Sequence, residues 1–151
     1  MKFAISLVLA AAVVGIAMPA SAQFAKPEDA VKYRQSALFV MSQHFGRIGA
    51  MVNGRVPYDA AAAVQNAEIV ADMAKLPWAG FGPGTDKVTP SRAKAEIWSE
   101  QAKFKEHNEK LVGETGKLLA AAKTNSMDNL KVAFSSTANT CKGCHDNYRR
   151  D

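Results

Sequence analysis

The sequence predicts an all-α fold, in the form of one antiparallel, up-down four-helix bundle. Apolar residues recur at helical spacing in four stretches of similar length between residues 27 and 149. No stretch alternates apolar and polar residues as a half-buried strand does, and the chain has neither an internal repeat nor a low-complexity tract. An up-down bundle is the most economical arrangement of four such helices.

Residues 1–22 are expected to be a secretory signal peptide. Lys2 gives a positive start, residues 3–17 form an apolar run, and residues 20–22 (Ala-Ser-Ala) provide a cleavage site. A membrane anchor is the alternative, but the run is shorter than the ~20 residues that a span requires. Cleavage would leave one exported domain, residues 23–151, with no later segment long and apolar enough to span a bilayer.

The charge of the chain gives little information about its partners. The formal net charge is +5, and it falls by one when Lys2 leaves with the signal peptide. So mild an excess gives no reason to expect a nucleic-acid partner. It could bias encounters with acidic proteins, although steering of this kind is not specific.

The first helix is predicted over about residues 27–51. Pro27 suits a first helical turn, and two acidic residues follow it at the positive end of the helix dipole. Asn53-Gly54 and Pro57 end the helix. The inward stripe of this helix consists of Val31, Arg34, Leu38, Met41, Phe45 and Ile48.

The second helix is predicted over about residues 59–76, between the N-cap Asp59 and Pro77. It has apolar residues on two sides. One side carries Ala60, Ala63, Ala67, Ala71 and Ala74, and the other carries Ile69, Met73 and Leu76. A helix that is apolar on two sides often has two neighbours. We therefore expect a homodimer that pairs through the first two helices.

A long loop, residues 77–95, separates the two halves of the bundle. It is rich in glycine and proline, yet its Trp78 and Phe81 are large apolar groups that we expect to fold back over the protein. The third helix is predicted over residues 96–123 and the fourth over residues 127–149. The stripe of the fourth helix consists of Leu130, Phe134, Ala138, Cys141, His145 and Tyr148.

The fourth helix contains the only cysteines, Cys141 and Cys144, with His145 directly after them. A disulfide would close only a tiny loop, and a structural zinc site would lack a fourth ligand. A catalytic Cys-His pair would leave one cysteine without a role.

C-x-x-C-H is the attachment motif of c-type haem. On a helix Cys141 and Cys144 lie about 60° apart and His145 lies about 40° from Cys141, so one covalently attached haem can use all three residues. A disulfide or a redox-active cysteine pair remains the alternative.

The mature chain resembles cytochrome c′, the class II c-type cytochromes, from end to end. The resemblance lies in KYRQSAL (32–38), PYDA (57–60), LPWAGFGPGT (76–85), EIW (96–98), CKGCH (141–145) and CHDNYR (144–149). It implies a left-turning four-helix bundle with one haem c per chain in its core, usually as a homodimer, in the bacterial periplasm.

The resemblance also assigns residues around the haem. It places Leu38 over the iron opposite His145, Arg34 and Gln35 at the haem edge, and Arg149 beside the proximal imidazole. An unpaired guanidinium on the apolar face would be costly, and the haem propionates would match it. The alternatives are that Arg34 extends to the surface and that Arg149 is a solvated cation at the helix end.

Leu38 determines the predicted function, because a hydrocarbon cannot coordinate iron. The haem should therefore be five-coordinate and high-spin, open to nitric oxide and carbon monoxide, and able to exchange electrons with a periplasmic redox partner that the sequence does not identify. In the alternative, Met41 is a second axial ligand and the protein is a six-coordinate, low-spin electron carrier. A methionine on an apolar stripe is more often core filler. The sequence offers no distal acid-base pair for peroxide cleavage, so we do not expect an enzyme.

Overall fold

The structure is a computed structural model that describes residues 23–150. The predicted signal peptide, residues 1–22, lies outside these residues. The helices are α1 (Pro27–Val52), α2 (Ala60–Met73), α3 (Glu96–Ser99), α4 (Gln101–Lys123) and α5 (Met127–Tyr148), with a 3-10 helix over Pro77–Phe81. Within the described residues there is no β-strand, only one isolated bridge.

The four long helices form the predicted bundle. α1 packs on α2, α2 on α4, α4 on α5 and α5 on α1, and the last of these pairs packs least closely. The core between them includes the fully buried Ile48, Leu118 and Leu130. Ala63 and Ala67 are also fully buried, so α2 turns its small-residue side inward.

The register between α1 and α5 is visible at Gly49. A Cβ at this position would lie 2.9 Å from Cζ of Phe134, so the α1 backbone touches the α5 ring directly. Phe45, one turn earlier on α1, stacks on the same ring with a centroid distance of 4.3 Å. Because the two helices are antiparallel, this contact sets which residues lie level further along them.

The third predicted helix is divided in the structure, which corrects the continuous span over residues 96–123. Glu100 leaves the helical conformation (φ −115°, ψ 44°) between α3 and α4. Its carboxylate accepts a hydrogen bond from the Tyr148 hydroxyl at 3.3 Å, and the Trp98 ring N–H donates to the Gly82 carbonyl at 3.3 Å. These contacts with distant segments accompany the break. No glycine or proline marks it in the sequence.

The second helix ends at Met73, three residues before its predicted end, and Pro77 begins the 3-10 helix. Asp59 caps α2 as predicted, accepting a hydrogen bond from the Ala62 backbone N–H at 3.0 Å. Trp78 and Phe81 do fold back: both rings pack against Phe104 of α4, with centroid distances of 5.6 and 4.9 Å.

Gly80 allows the 3-10 helix to lie directly on α1. A Cβ here would lie 2.5 Å from the Ala30 carbonyl oxygen and 2.8 Å from Cβ of Arg34. Since both neighbours belong to α1, the side chain could be accommodated only by moving the loop away from the helix.

We expect Gly80→Ala to lower the free energy of unfolding by about 1–3 kcal/mol, as overpacking of a tight contact usually does. Gly82→Ala is the matched control, because a Cβ at Gly82 meets nothing within 4 Å. Urea unfolding of the two variants checks this. Equal stability of both would contradict the close packing of the loop on α1.

Candidate functional site

The last turns of α5 present two thiols and an imidazole in immediate succession. Cys141 and Cys144 are both half-buried and are not joined to each other. Burial raises the pKa of the Cys141 thiol. Burial, with the charge of the neighbouring Cys141, raises the pKa of Cys144 to about 11. Both sulfurs are therefore protonated thiols at neutral pH in this structure.

His145 is exposed to solvent and has a cation beside it. Nη1 of Arg149 lies 3.4 Å from Nδ1 of His145. Desolvation by neighbouring protein atoms, and then the positive charge of Arg149, lower the pKa of the imidazole. Arg149 and His145 are thus neighbours at the end of α5. Both causes favour the neutral imidazole, which is the form that binds metals.

Arg34 is buried, with 2% of its surface exposed, so the alternative of a surface arginine is wrong. Nη1 donates to the Gly80 carbonyl at 2.7 Å and to the Thr85 hydroxyl at 3.2 Å, and Nη2 donates to the Ser91 hydroxyl at 3.1 Å. The guanidinium also lies 4.3 Å above the Phe81 ring. Burial lowers the pKa of Arg34 to about 10, so the group stays charged at neutral pH.

The partners of Arg34 are all neutral. Among residues 23–150, no carboxylate forms an ion pair with this buried guanidinium. A buried charge without a counter-ion is unfavourable, so an anion bound beside Arg34 would stabilise it. The exposed Gln35 lies beside it, and its side-chain N–H donates to the Pro90 carbonyl at 3.1 Å. Both residues therefore contact the loop over residues 80–91.

Leu38 and Met41 differ in their surroundings. Met41 is buried in the core, with 8% of its surface exposed, whereas Leu38 is half-buried at the edge of that core. Cys141 packs against the same core from α5. The structure thus brings the α1 stripe and the cysteine-bearing face of α5 to one apolar interior.

The contact between Gly49 and Phe134 relates positions along α1 to positions along α5. Leu38 precedes Gly49 by 11 residues, and His145 follows Phe134 by 11 residues. Since Gly49 meets Phe134 and the helices are antiparallel, equal steps from that contact bring Leu38 and His145 to the same height. Arg34 precedes Gly49 by 15 residues and Arg149 follows Phe134 by 15 residues, so the same count brings these two arginines level.

These residues fit a c-type haem by the chemistry of their donors. Two thiols and an imidazole lie on consecutive turns of α5, beside the least closely packed helix pair of the bundle. A cation without an anionic partner lies on α1, where a propionate would satisfy it. The set therefore offers sulfur for attachment, nitrogen for iron and a cation for the propionates.

Sequence reasoning missed the hydrogen-bond partners of Arg34. Thr85 and Ser91 lie in a glycine- and proline-rich loop, where no periodicity distinguishes a buried residue from a solvated one. The only available signal was Arg34 itself, because a guanidinium on an apolar stripe needs hydrogen-bond acceptors from some other segment.

Comparison with known proteins agrees with this arrangement. Residues 29–149 match the family model described as Cytochrome C′. A cytochrome c′ of Alcaligenes xylosoxydans xylosoxydans is 49% identical over 128 residues, which covers 85% of this chain and 98% of that protein. The crystal structure of cytochrome c′ from Rubrivivax gelatinosus is 44% identical, with a TM-score of 0.82, and the match covers 85% of this chain and all of that one.

Two solved complexes of cytochrome c prime from Alcaligenes xylosoxidans also match, each at 47% identity with a TM-score of 0.79. One is a nitric oxide complex of a leucine-to-alanine mutant, covering 85% of this chain and 99% of that one. The other is a leucine-to-glycine variant with carbon monoxide bound, covering 85% and 100%.

We expect Arg34→Lys to lower the free energy of unfolding by about 1–3 kcal/mol, because a lysine ammonium cannot reach the three loop acceptors as the planar guanidinium does. Arg55→Lys is the control, since Arg55 is exposed and its side chain has no hydrogen bond or ion pair within residues 23–150. Denaturant unfolding of both variants measures the difference. Equal losses would show that the loop does not depend on Arg34.

Proposed function

The chain belongs to the cytochrome c′ family, and on that premise we propose that it is a periplasmic c-type cytochrome with a five-coordinate, high-spin haem. The family binds haem c. The proposed protein takes up small neutral gases, nitric oxide and carbon monoxide, and exchanges single electrons with a redox partner. It is a binding and electron-transfer protein rather than an enzyme.

The observation that carries the proposal is the contact between Gly49 of α1 and Phe134 of α5, from which equal steps along the antiparallel helices lead to Leu38 and His145. When bound, haem c supplies an iron that can take a gas ligand and change its charge by one electron. Cys141 and Cys144 would hold the haem through thioethers, and Nε2 of His145 would bind its iron. Leu38 would lie against the haem, where its hydrocarbon would exclude water and offer no ligand atom.

Arg34 and Gln35 would hold the propionates at the haem edge. Arg34 has five N–H groups, and the loop acceptors account for three hydrogen bonds. A carboxylate beside it would add the counter-ion that the described protein atoms do not provide. Arg149 would act as a positioning residue, since its guanidinium lies against the ring of His145.

The ligands bound in two solved relatives support gas binding. The nitric oxide and carbon monoxide complexes are both of variants in which a leucine has been replaced by a smaller residue. A side chain that must move before a ligand binds acts as a steric barrier on association. We assign that barrier to Leu38 in this protein.

Export to the periplasm is supported by the predicted signal peptide at residues 1–22. Across residues 23–150, no helix is both long enough and apolar enough to cross a membrane. The proposed localisation therefore depends on the N-terminal sequence.

A homodimer through the first two helices is supported by apolar exposure on their outer faces. Phe39 and Val40 of α1 are 63% and 38% exposed, and Leu76 after α2 is 37% exposed.

We expect Phe39→Glu to shift the sedimentation coefficient at micromolar concentration toward that of a monomer, because it would bury an unpaired charge. Val132→Glu on α5 is the control. A wild-type protein that sediments only as a monomer would refute the dimer.

The ferric visible spectrum tests the proposed coordination. We expect a high-spin spectrum that Met41→Leu leaves nearly unchanged, because this substitution conserves volume in the core and removes no iron ligand. A low-spin wild type that becomes high-spin in Met41→Leu would instead establish the six-coordinate electron carrier.

We expect Leu38→Ala to accelerate carbon monoxide association with the ferrous protein, because the steric barrier is removed while His145 and the thioethers remain. The variant should lose about 2–5 kcal/mol of stability, toward the lower end because Leu38 is only half-buried. Phe39→Ala is the control, since its side chain is largely exposed on another side of α1. Flash photolysis or stopped flow gives the rate constants. An unchanged rate in haem-loaded Leu38→Ala would remove Leu38 from its proposed role.

A further inference from the structure

A short pairing of two backbone segments closes the end of the bundle next to the cysteines. The Lys94 backbone N–H donates to the Tyr148 carbonyl at 3.0 Å, and the Arg150 N–H donates to the Arg92 carbonyl at 2.8 Å. Residues 91–94 and 148–150 thus lie antiparallel, as an isolated β-bridge also records. We call these two paired segments the C-terminal clasp.

The clasp carries four cations within seven residues: Arg92, Lys94, Arg149 and Arg150. Their hydrogen bonds are with main-chain carbonyls or with the imidazole. Nε of Arg92 donates to the Arg150 carbonyl at 3.1 Å, and Nζ of Lys94 donates to the Asp146 carbonyl at 2.9 Å. Arg150 donates to the Ser91 carbonyl, and Arg149 contacts His145.

The positive charge of the clasp is not neutralised by the residues around it. In the part of the chain that the structure describes, none of the four cations forms an ion pair. Asp146, the nearest acid on α5, pairs with Lys142. Glu96, Glu100 and Glu106 line an adjoining groove that shares only Tyr148 with the clasp, and Lys103 and His107 line it with them. Asp151 lies outside the described residues.

The position of the clasp relates this charge to the proposed haem. Tyr148 lies one turn beyond Cys144 and His145 on α5, and Arg149 touches the imidazole. On the other segment, Ser91 binds Arg34, which we place at the propionates. The clasp therefore borders both the attachment turn and the propionate side.

We propose that the C-terminal clasp is the docking surface for an acidic redox protein that exchanges one electron with the haem. The inference rests on the proposed function, because it requires a haem at Cys141, Cys144 and His145. In the exchange, ferric iron gains one electron that the partner's cofactor loses, or ferrous iron gives one up, and no covalent bond changes. Exposed cations at an interface raise the rate of encounter with an acidic partner, and salt weakens that effect.

An acidic protein fits the clasp better than a membrane surface does. Binding to a bilayer by a soluble surface usually combines cations with apolar side chains that enter the lipid. The large exposed apolar residues between residues 23 and 150 are Phe39, Val40, Val56, Leu76 and Val132. None of them belongs to the clasp.

The test compares two triple variants of the haem-loaded protein that lose the same charge. The clasp variant is Arg92→Gln/Lys94→Gln/Arg150→Gln, which keeps the backbone pairing and leaves Arg149 in place. The control is Lys110→Gln/Lys117→Gln/Lys123→Gln on α4. Flavodoxin hydroquinone, a strongly acidic one-electron donor, reduces the ferric protein in a stopped-flow instrument at low and high ionic strength. Titration calorimetry with oxidised flavodoxin measures binding without requiring haem.

At low salt we expect the clasp variant to lose roughly tenfold in the second-order rate constant and in affinity for flavodoxin, and the control less than twofold. At high salt the three proteins should converge. Equal losses in both variants would show an effect of net charge alone and overturn the proposal. A loss that persists at high salt would show damage to the haem pocket instead.

Two further outcomes would also overturn the docking surface. If the clasp variant loses binding to phosphatidylglycerol vesicles but keeps its affinity for flavodoxin, the surface serves a membrane. If the protein carries no haem, its visible spectrum shows that the proposed function has failed. In that case, equal calorimetric affinities of the two variants for flavodoxin would independently reject the clasp.

Discussion

The contact between Gly49 of α1 and the ring of Phe134 of α5 fixes the height at which the two helices face each other, and the proposed haem site depends on it. The absence of a Cβ allows the ring to lie against the α1 backbone, with Phe45 stacked on it. From this point Leu38 and His145 come level. A slip of one turn, about 5.4 Å along the helix, would bring a different α1 side chain opposite the histidine.

Arg34 connects that register to the loop. Its guanidinium holds three acceptors from residues 80–91 while Gly80 lets the loop lie on α1, so the loop position and the arginine position determine each other. The arrangement gives a buried cation three hydrogen bonds but leaves its charge without a counter-ion among the described residues. A haem with two propionates at this edge would supply it, which links the packing of the loop to the cofactor.

Much of this organisation follows from local sequence patterns. The four long helices follow from apolar spacing, and Asp59 marks the start of α2 with the side-chain cap that the structure contains. The C-x-x-C-H stretch predicts haem attachment directly, because its three donor residues are close together in the sequence. The break at Glu100 could not be predicted, since it coincides with contacts to Tyr148 and the loop rather than with a local helix breaker. The partners of Arg34 and the α1–α5 register could not be predicted either, because both depend on tertiary contacts. Periodicity shows which side of a helix is buried but not which residue that side contacts.

The central claim is that the two thiols of α5 hold one haem covalently, with His145 beside them. Denaturing mass spectrometry of the protein produced with a bacterial c-type cytochrome maturation system tests it most directly. The account predicts a mass equal to residues 23–151 plus one haem, with no thiol left to react with an alkylating agent. A haem-free mass, with Cys141 and Cys144 either alkylated or joined in a disulfide, would contradict it.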